Sequence, residues 1–293
     1  MYRGLVELFE NHPDCYFLLF TNGTLISDEI AKKMHKLGNV SPLISIEGRE
    51  VVSDQRRGGT RVYSRAIQGL KLCRKHRLIT GVATSICKSN INDLVTETFV
   101  NELMNLGVHY LWYYIYRPVG PNPSPELSLS QEEVVKLRQF MVKIRSEVPL
   151  IIVDSYWDHD GRALCPAAVG ISHHIGPAGD IELCPPIQFA LDNIKNGKKL
   201  CDIFNNSEFL TELRELLCKT SRGCILLEQP GLLKKAIEKT GARDSSGRGT
   251  ALNELASMTA CSSHHIPGKE IPEKYWPYKF AKKYWFFGFG AYG

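Results

Sequence analysis

"LITGVATSICKSNINDLVTETFVNELMNLGVHYLWYYIY", residues 78–116, decides the fold. The short apolar run "LITGVATS" (78–85) predicts a strand. "INDLVTETFVNELMNLG" (91–107) predicts a helix closed by Gly107, because glycine takes the left-handed conformation that ends many helices at no steric cost. "YLWYYIY" (110–116) predicts the next strand. A helix between two strands is a crossover connection, so the strands run parallel and the crossover is right-handed.

The same alternation extends in both directions. Upstream, "YFLLFT" (16–21) is an apolar strand that stops at the turn signal "NGT", and a helix follows with Ser27 as its cap. "PLISIEG" (42–48) is a strand, and "VYSRAIQGLKLCRKH" (62–76) places Val62, Ala66, Ile67, Leu70 and Cys73 at helical spacing. Downstream, "SQEEVVKLRQFMVKIR" (130–145) opens with a capping box, Ser130 to Glu133, and "PLIIVD" (149–154) is a fifth strand. Near-continuous apolar strands are expected of a parallel sheet buried on both faces. Residues 1–154 therefore read as α/β, an open sheet or a partial (β/α) barrel. Ligands of such folds sit at the C-terminal ends of the strands, here "TNGT", "SIEG", "TSICKSN" and "YRPVG".

Composition narrows the classes. Of the 293 residues, 43% are hydrophobic and 23% charged, which is ordinary for a folded domain with a core. A net charge of +5 permits an anionic ligand without calling for nucleic acid. "MYRGLVELFENHPDC" mixes acids among apolar residues, so it reads as an amphipathic helix and not as a secretory signal. No run approaches the roughly 20 apolar residues of a membrane span. Nine cysteines, an odd number, without a secretory signal point to a reducing cytoplasm and to metal or catalysis as the use of some thiols.

The pattern changes after Asp154. Residues 155–235 are rich in Pro, Gly and Cys, and a helix is expected near 207–217. "CPAAVGISHHIGPAGDIELCPP" (165–186) reads as a hairpin with Cys165 and Cys184 at its base and Gly179 in its turn, so that 181–184 run back along 172–175. Cys201, Cys218, Cys224 and Cys261 follow, and two further sulfurs would complete a four-thiolate site for zinc or an iron–sulfur cluster. Spacing does not choose between these metals. Residues 236–293 form a third segment, a small polar linker (240–262) and a lysine-rich aromatic tail.

The Cys-x13-Gly-x4-Cys spacing resembles the opening of the SPASM or twitch domain of radical S-adenosylmethionine (radical SAM) enzymes. "TNGT", "SIEG", "SDQRRGGTRVYSRAIQGL" (53–70), "TSICKSN" and "YYIYRPVG" (113–120) resemble, in order, elements of that family's barrel. The resemblance covers roughly residues 14–230. It implies a partial (β/α) barrel of radical SAM type followed by a small Cys-rich domain holding one auxiliary 4Fe-4S cluster. SAM would lie across the strand ends, with Ser45 at its ribose, Arg56 or Arg57 at its carboxylate, and Asn22 and Thr84 lining the cavity. Glu47 stands where the family's Ser-x-Asp-Gly element has Asp. Cys165, Cys184 and Cys224 would bind the cluster, with Cys218 as the candidate fourth ligand and Cys201 or Cys261 as alternatives. Gly223 would let the backbone at Cys224 approach it closely. Electrons would come from a flavodoxin or ferredoxin type donor.

The chain departs from that family in one respect. It has no Cys-x3-Cys-x2-Cys loop for the catalytic cluster and no "GGEP"-type turn, so it reads as N-terminally incomplete. By the resemblance, the full-length form would cleave SAM to a 5′-deoxyadenosyl radical that modifies a peptide or small molecule. This chain alone would keep only the auxiliary site. Two other readings stand beside that one: a non-catalytic iron–sulfur or zinc module serving structure or electron transfer, and an interaction protein using its tail. In the tail, Lys279, Lys282 and Lys283 accompany Tyr275, Trp276, Tyr278, Tyr284, Trp285, Phe286, Phe287 and Phe289, and are expected to pack back with their lysine heads in water. His173 and His174 alternate across the first hairpin strand, so one of them could face a cluster. His264 and His265 are expected in a surface loop, and "DSYWDHDGR" (154–162) reads as substrate-facing or as ordinary loop polarity.

Overall fold

Five strands, β1 (Phe17–Thr21), β2 (Val40–Ser45), β3 (Gly81–Ile86), β4 (Tyr110–Ile115) and β5 (Ile151–Val153), pair in parallel in the order β1-β2-β3-β4-β5. They belong to a computed structural model that describes residues 4–170 and 172–284. The chain forms two units, one from 1–116 and 143–154, the other from 117–142 and 155 onward. The second unit thus takes in both the Cys-rich stretch and the described part of 236–293.

In the first unit, register sorts the side chains onto two faces. Leu43 pairs Gly81, which pairs Tyr110, which pairs Ile151. Ser45 pairs Ala83, which pairs Trp112, and Ser85 pairs Tyr114. Paired residues of parallel strands share a face, and neighbours along a strand alternate. The opposite face carries Ile44, Val82, Leu111 and Ile152, each 0% exposed. Burial of side chains of this kind stabilises by about 2 kcal/mol each. Tyr113 on this face donates to the Leu94 carbonyl at 2.8 Å, so it is the face that the helices cover.

The Ser45 face is open. Phe20 is 53% exposed there, and its ring lies 6.1 Å from that of Trp112 and 6.3 Å from that of Tyr114. In a flat sheet β1 and β4 would stand about 14 Å apart. The ring contacts therefore mark a sheet that curls toward this face. Gly81 is required by the curl, because a Cβ there would lie 2.2 Å from the Tyr110 ring, whose hydroxyl bonds Ser41 Oγ at 2.7 Å.

The helices follow their local signals with two exceptions. After α1 (Leu5–Asn11), α2 (Asp28–Leu37) starts at Ser27, whose Oγ accepts from Ile30 N at 3.2 Å, and closes at Gly38 with φ +72°. A short helix, α3 (Glu50–Arg56), forms where no helix is read from the sequence, and α4 (Val62–Lys75) follows. The helix expected over 91–107 is two, α5 (Ile91–Leu94) and α6 (Glu97–Asn105). Thr96 divides them: its hydroxyl donates to Asp93 O and accepts from Phe99 N, so it caps a new helix instead of continuing the old one. The capping box forms at the start of α7 (Gln131–Ile144), with Glu133 Oε2 accepting from Ser130 N at 2.7 Å.

The second unit is built from short pieces. Strands β6 (His174–Ile175) and β7 (Ile181–Glu182) make the expected hairpin, with Gly179 at φ +91° in its turn. Strand β8 (Phe189–Ala190) pairs β9 (Arg243–Asp244). Around them lie α8 (Leu200–Asn206), α9 (Glu208–Thr220), α10 (Ile225–Glu228), α11 (Pro230–Thr240), α12 (Ala251–Ala256) and α13 (Trp276–Tyr284). The core joins Ile181 and Leu183 from the hairpin to Phe209, Leu210 and Leu213 of α9 and Leu233 of α11. In α13, Tyr278 is buried while Trp276, Phe280 and Tyr284 are exposed. Lys282 departs from the expectation that the tail lysines reach water. It is 2% exposed, because its ammonium meets Glu273 at 3.6 Å, and Glu273 also binds Arg138 at 2.7 Å. Trp285, Phe286, Phe287 and Phe289 lie outside the described residues. Among the described residues, no helix is long and apolar enough to cross a membrane.

Candidate functional site

At the strand ends of the first unit the polar residues are tied to one another. Glu47, just past β2, accepts from Arg57 Nη2 at 2.5 Å and from the Ser85 backbone N–H at 2.8 Å. Asn90 donates to the carbonyls of Glu47 and Ser85, both at 2.9 Å, and accepts from Cys87 N. Arg56 Nη1 sits 2.9 Å from the buried Cys87 sulfur, with its guanidinium 5.9 Å from the Tyr116 ring centre. Glu47, Arg56 and Arg57 thus come together, but each has an internal partner. Asn22 serves its own turn, accepting from the backbone N–H and hydroxyl of Thr24. Ser45 is on the open face of the sheet. Thr84 is not. It pairs Tyr113 on the helix-covered face and is 1% exposed, so Ser85 is the hydroxyl of β3 that shares the Ser45 face. Period-two counting from Ser45 along the paired strands is the signal that finds Ser85.

The second unit gathers thiols. Cys165 and Cys184, at the base of the hairpin, and Cys224, which opens α10, pack against the same hydrophobic core. Burial raises the pKa of Cys165, and the neighbouring Cys224 adds to it. Burial also pushes the Cys184 thiol up, reinforced by Cys165 and Cys224. Cys261 is raised by burial and then by Cys224 and Glu228, so it belongs to the same neighbourhood. Arg117 is the cation among them. Burial works against its charge, but Tyr156, Cys224, Cys184 and Cys165 raise its pKa, and its guanidinium lies 5.5 Å from the Tyr156 ring centre. Arg117 immediately follows the fourth strand in "YYIYRPVG", a stretch that stands out in the sequence without its arginine being singled out.

The other sequence candidates lie elsewhere in this unit. Cys218, on α9, is exposed, with its sulfur 3.8 Å from the Ala168 carbonyl. Cys201, on α8, is exposed. Gly223 has a different reason from the expected close approach of a cluster: a Cβ there would meet Ser263 Oγ at 2.2 Å and Glu228 Oε1 at 2.3 Å. It makes room for a network in which Ser263 Oγ accepts from Cys224 N at 3.2 Å and bonds Glu228. His173 stacks on Phe204 at 4.0 Å, and His174 meets Glu182 at 2.6 Å. His264 is not on a surface loop. It is 5% exposed, with Nε2 at 3.1 Å from the Leu164 carbonyl. Two aspartates of "DSYWDHDGR" are anchors: buried Asp154 holds Arg145 within the first unit, and buried Asp158 holds Arg162 and Arg222 within the second.

Cys165, Cys184, Cys224 and Cys261 are donors of the kind that both zinc and iron–sulfur clusters take. Among the described residues, no three His, Cys, Asp or Glu side chains converge as ligands of a single metal ion. The coupled set nonetheless consists of sulfurs, the donors that iron–sulfur clusters take. The Ser45 and Ser85 hydroxyls suit a ribose, whereas Arg57 would have to leave Glu47 to reach a carboxylate.

No protein-family model matches the chain. Over 77 residues it is 32% identical to Fe-coproporphyrin III synthase of Methanosarcina barkeri, a match covering 26% of this chain and 19% of that protein. Among solved structures, SuiB of Streptococcus suis is similar with a TM-score of 0.59 at 12% identity, over 73% of this chain and 55% of SuiB. Hexahistidine-tagged anSMEcpe with bound AdoMet gives a TM-score of 0.57 at 14% identity, over 99% of this chain and 74% of that one. The parallel five-stranded α/β fold is therefore shared with SuiB and anSMEcpe. The chain spans about a fifth of the curated relative's length and about half of SuiB's.

Proposed function

We propose that the chain is part of a radical SAM-type enzyme whose second unit carries an auxiliary iron–sulfur cluster. What supports this reading is that Cys165, Cys184 and Cys224 pack against one hydrophobic core, on a fold shared with structures solved with S-adenosylmethionine. Cys261 is the better fourth ligand than Cys218, because it feels Cys224 while Cys218 faces solvent. Bound SAM would supply a 5′-deoxyadenosyl radical to the whole enzyme. This chain's part is to seat the ribose on the Ser45 and Ser85 hydroxyls of the open sheet face, and to hold the cluster on half-buried sulfurs. Glu47 keeps Ser85 in place through its backbone N–H.

The substrate class is a peptide. SuiB has been solved with its precursor peptide SuiA, and anSMEcpe with the Cp18Cys peptide. The match to Fe-coproporphyrin III synthase favours a second reading, a tetrapyrrole substrate. A flavodoxin or ferredoxin type donor would supply electrons, and the thiols need the reducing conditions of a cytoplasm.

Anaerobic reconstitution with ferrous iron and sulfide tests the cluster. Brown chain with iron and labile sulfide is expected, lost in Cys165→Ala, Cys184→Ala, Cys224→Ala and Cys261→Ala and kept in Cys218→Ala. Equal iron in the first three variants and the parent chain would overturn the cluster. Equilibrium dialysis with SAM tests the strand-end site, where Ser45→Ala should weaken binding. Retention of a peptide by the loaded chain, against retention of a porphyrin, separates the two substrate readings.

A further inference from the structure

Apart from the thiols, the second unit holds a cavity of about 80 Å³. Its wall includes Arg138, Arg162, Arg222 and Lys269 against one carboxylate, Glu270, with Trp157 beside them. The carboxylates behind this wall are shared. Asp158 Oδ2 accepts from Arg162 Nε at 3.1 Å and from Arg222 Nη2 at 3.3 Å. Glu273 serves both Arg138 and Lys282, and Asp160 lies 3.6 Å from Arg162 and 3.8 Å from Lys279. Lys269 also acts on the exposed Glu132. Arg162, Arg222 and Lys279 share the two carboxylates Asp158 and Asp160, which leaves one positive charge unanswered within that group.

The two arginines are also pinned. Asp158 is 3% exposed and accepts the backbone N–H groups of Asp160 and Arg162, which fixes it. Arg222 Nε is bound to the Ala163 carbonyl at 2.9 Å. The side chains of Arg162 and Arg222 remain 47% and 51% exposed, so the rest of each guanidinium fork is available at the mouth. A pinned fork loses little freedom when it takes up an oxyanion in charge-assisted hydrogen bonds. The cavity is well below the roughly 300 Å³ of a whole-ligand pocket. It admits one small group.

We propose that this cavity binds a single oxyanion group, a carboxylate or a phosphate, at the end of a ligand whose remainder stays outside. The site stands on the second unit's own residues and does not depend on the cluster.

The test titrates the full chain at constant ionic strength with inorganic phosphate and, separately, with acetate. Calorimetry and tryptophan fluorescence report binding, the latter through Trp157 in the wall. Saturable binding is expected. Phosphate binding more tightly than acetate assigns the site to a phosphate ester, and the reverse order to a carboxylate. Arg222→Gln should weaken binding about tenfold, the cost of one charge-assisted hydrogen bond. Lys269→Gln, at an exposed position, should weaken it less, and it carries the test if Arg222→Gln does not fold. No saturable heat with either anion, or unchanged affinity in the folded variants, overturns the proposal.

Discussion

Glu47 offers a sharp test of how the strand ends are held. Its carboxylate is the acceptor for the Ser85 backbone N–H at 2.8 Å and for Arg57 at 2.5 Å, and the residue is 7% exposed. Glu47→Ala strands the Ser85 N–H, a loss of about 1–3 kcal/mol for an unsatisfied buried donor. The Arg57 pair adds little, because that side chain is 30% exposed and solvent screens it, so about 0.5 kcal/mol is the fair figure. The sum is about 1.5–3.5 kcal/mol. Glu47→Gln keeps an acceptor for Ser85 and loses only the ionic part, so it should cost about 0.5 kcal/mol. With a urea m-value of about 2 kcal/mol/M, the Ala variant should unfold about 1 M earlier and the Gln variant about a quarter as far. Urea melts followed by far-UV circular dichroism read both shifts. Equal shifts in the two variants would refute the reasoning, since the Ser85 bond would then contribute nothing.

Three further outcomes follow from other sites. Arg145 and Asp154 pair with side chains 1% and 0% exposed, so Asp154→Ala leaves a buried cation and should cost about 3–5 kcal/mol, read in the same melts. Hydrogen bonds from Lys75, then His76, lower the Asp28 pKa from 3.8 to about 2. A depressed carboxylate pKa adds stability above the unfolded value that is lost as pH falls. Acid melts between pH 4 and 2 should therefore show a small, salt-screened loss that Asp28→Asn removes. Burial lifts the Cys73 thiol to about 11, while Cys15, Cys201 and Cys218 are exposed. Native alkylation read by mass spectrometry should label those three and spare Cys73 until the chain unfolds.

The parallel sheet was legible because its signals are local. Apolar runs, the Ser27 cap and the Ser130–Glu133 box each act within a few residues, and each forms as read. The hairpin was legible for the same reason, through Gly179. What the sequence hid depends on pairing across the chain. Thr84 and Ser85 are equally polar in "TSICKSN", and only the register with Ser45 and Tyr113 says which one is open. His264 looked like loop polarity because its partner, the Leu164 carbonyl, is 100 residues away. Gly223 looked like a cluster glycine, and the space it leaves is filled by Ser263 and Glu228 instead.

Arg117 presses the metal question furthest. Arg117 is half-buried, and a cation drawn partly out of water loses stability unless an anion answers it. Among the described residues no carboxylate pairs with Arg117, and burial raises the pKa of Cys165 and Cys184, which favours their neutral form. The Tyr156 ring at 5.5 Å offers about 1 kcal/mol of cation–π attraction, which offsets part of that cost. A metal reverses this balance, since coordinating thiols are held as thiolates and four of them leave an iron–sulfur cluster a net anion beside the guanidinium. The two states of the chain should then answer Arg117→Met in opposite ways. Without iron the variant should be as stable as the parent or more so, because a half-buried charge with no carboxylate partner is gone. Once loaded, it should release iron to a chelator faster than the parent. A variant that destabilises the iron-free chain while leaving iron release unchanged would mean that Arg117 serves the protein fold and not an anionic occupant.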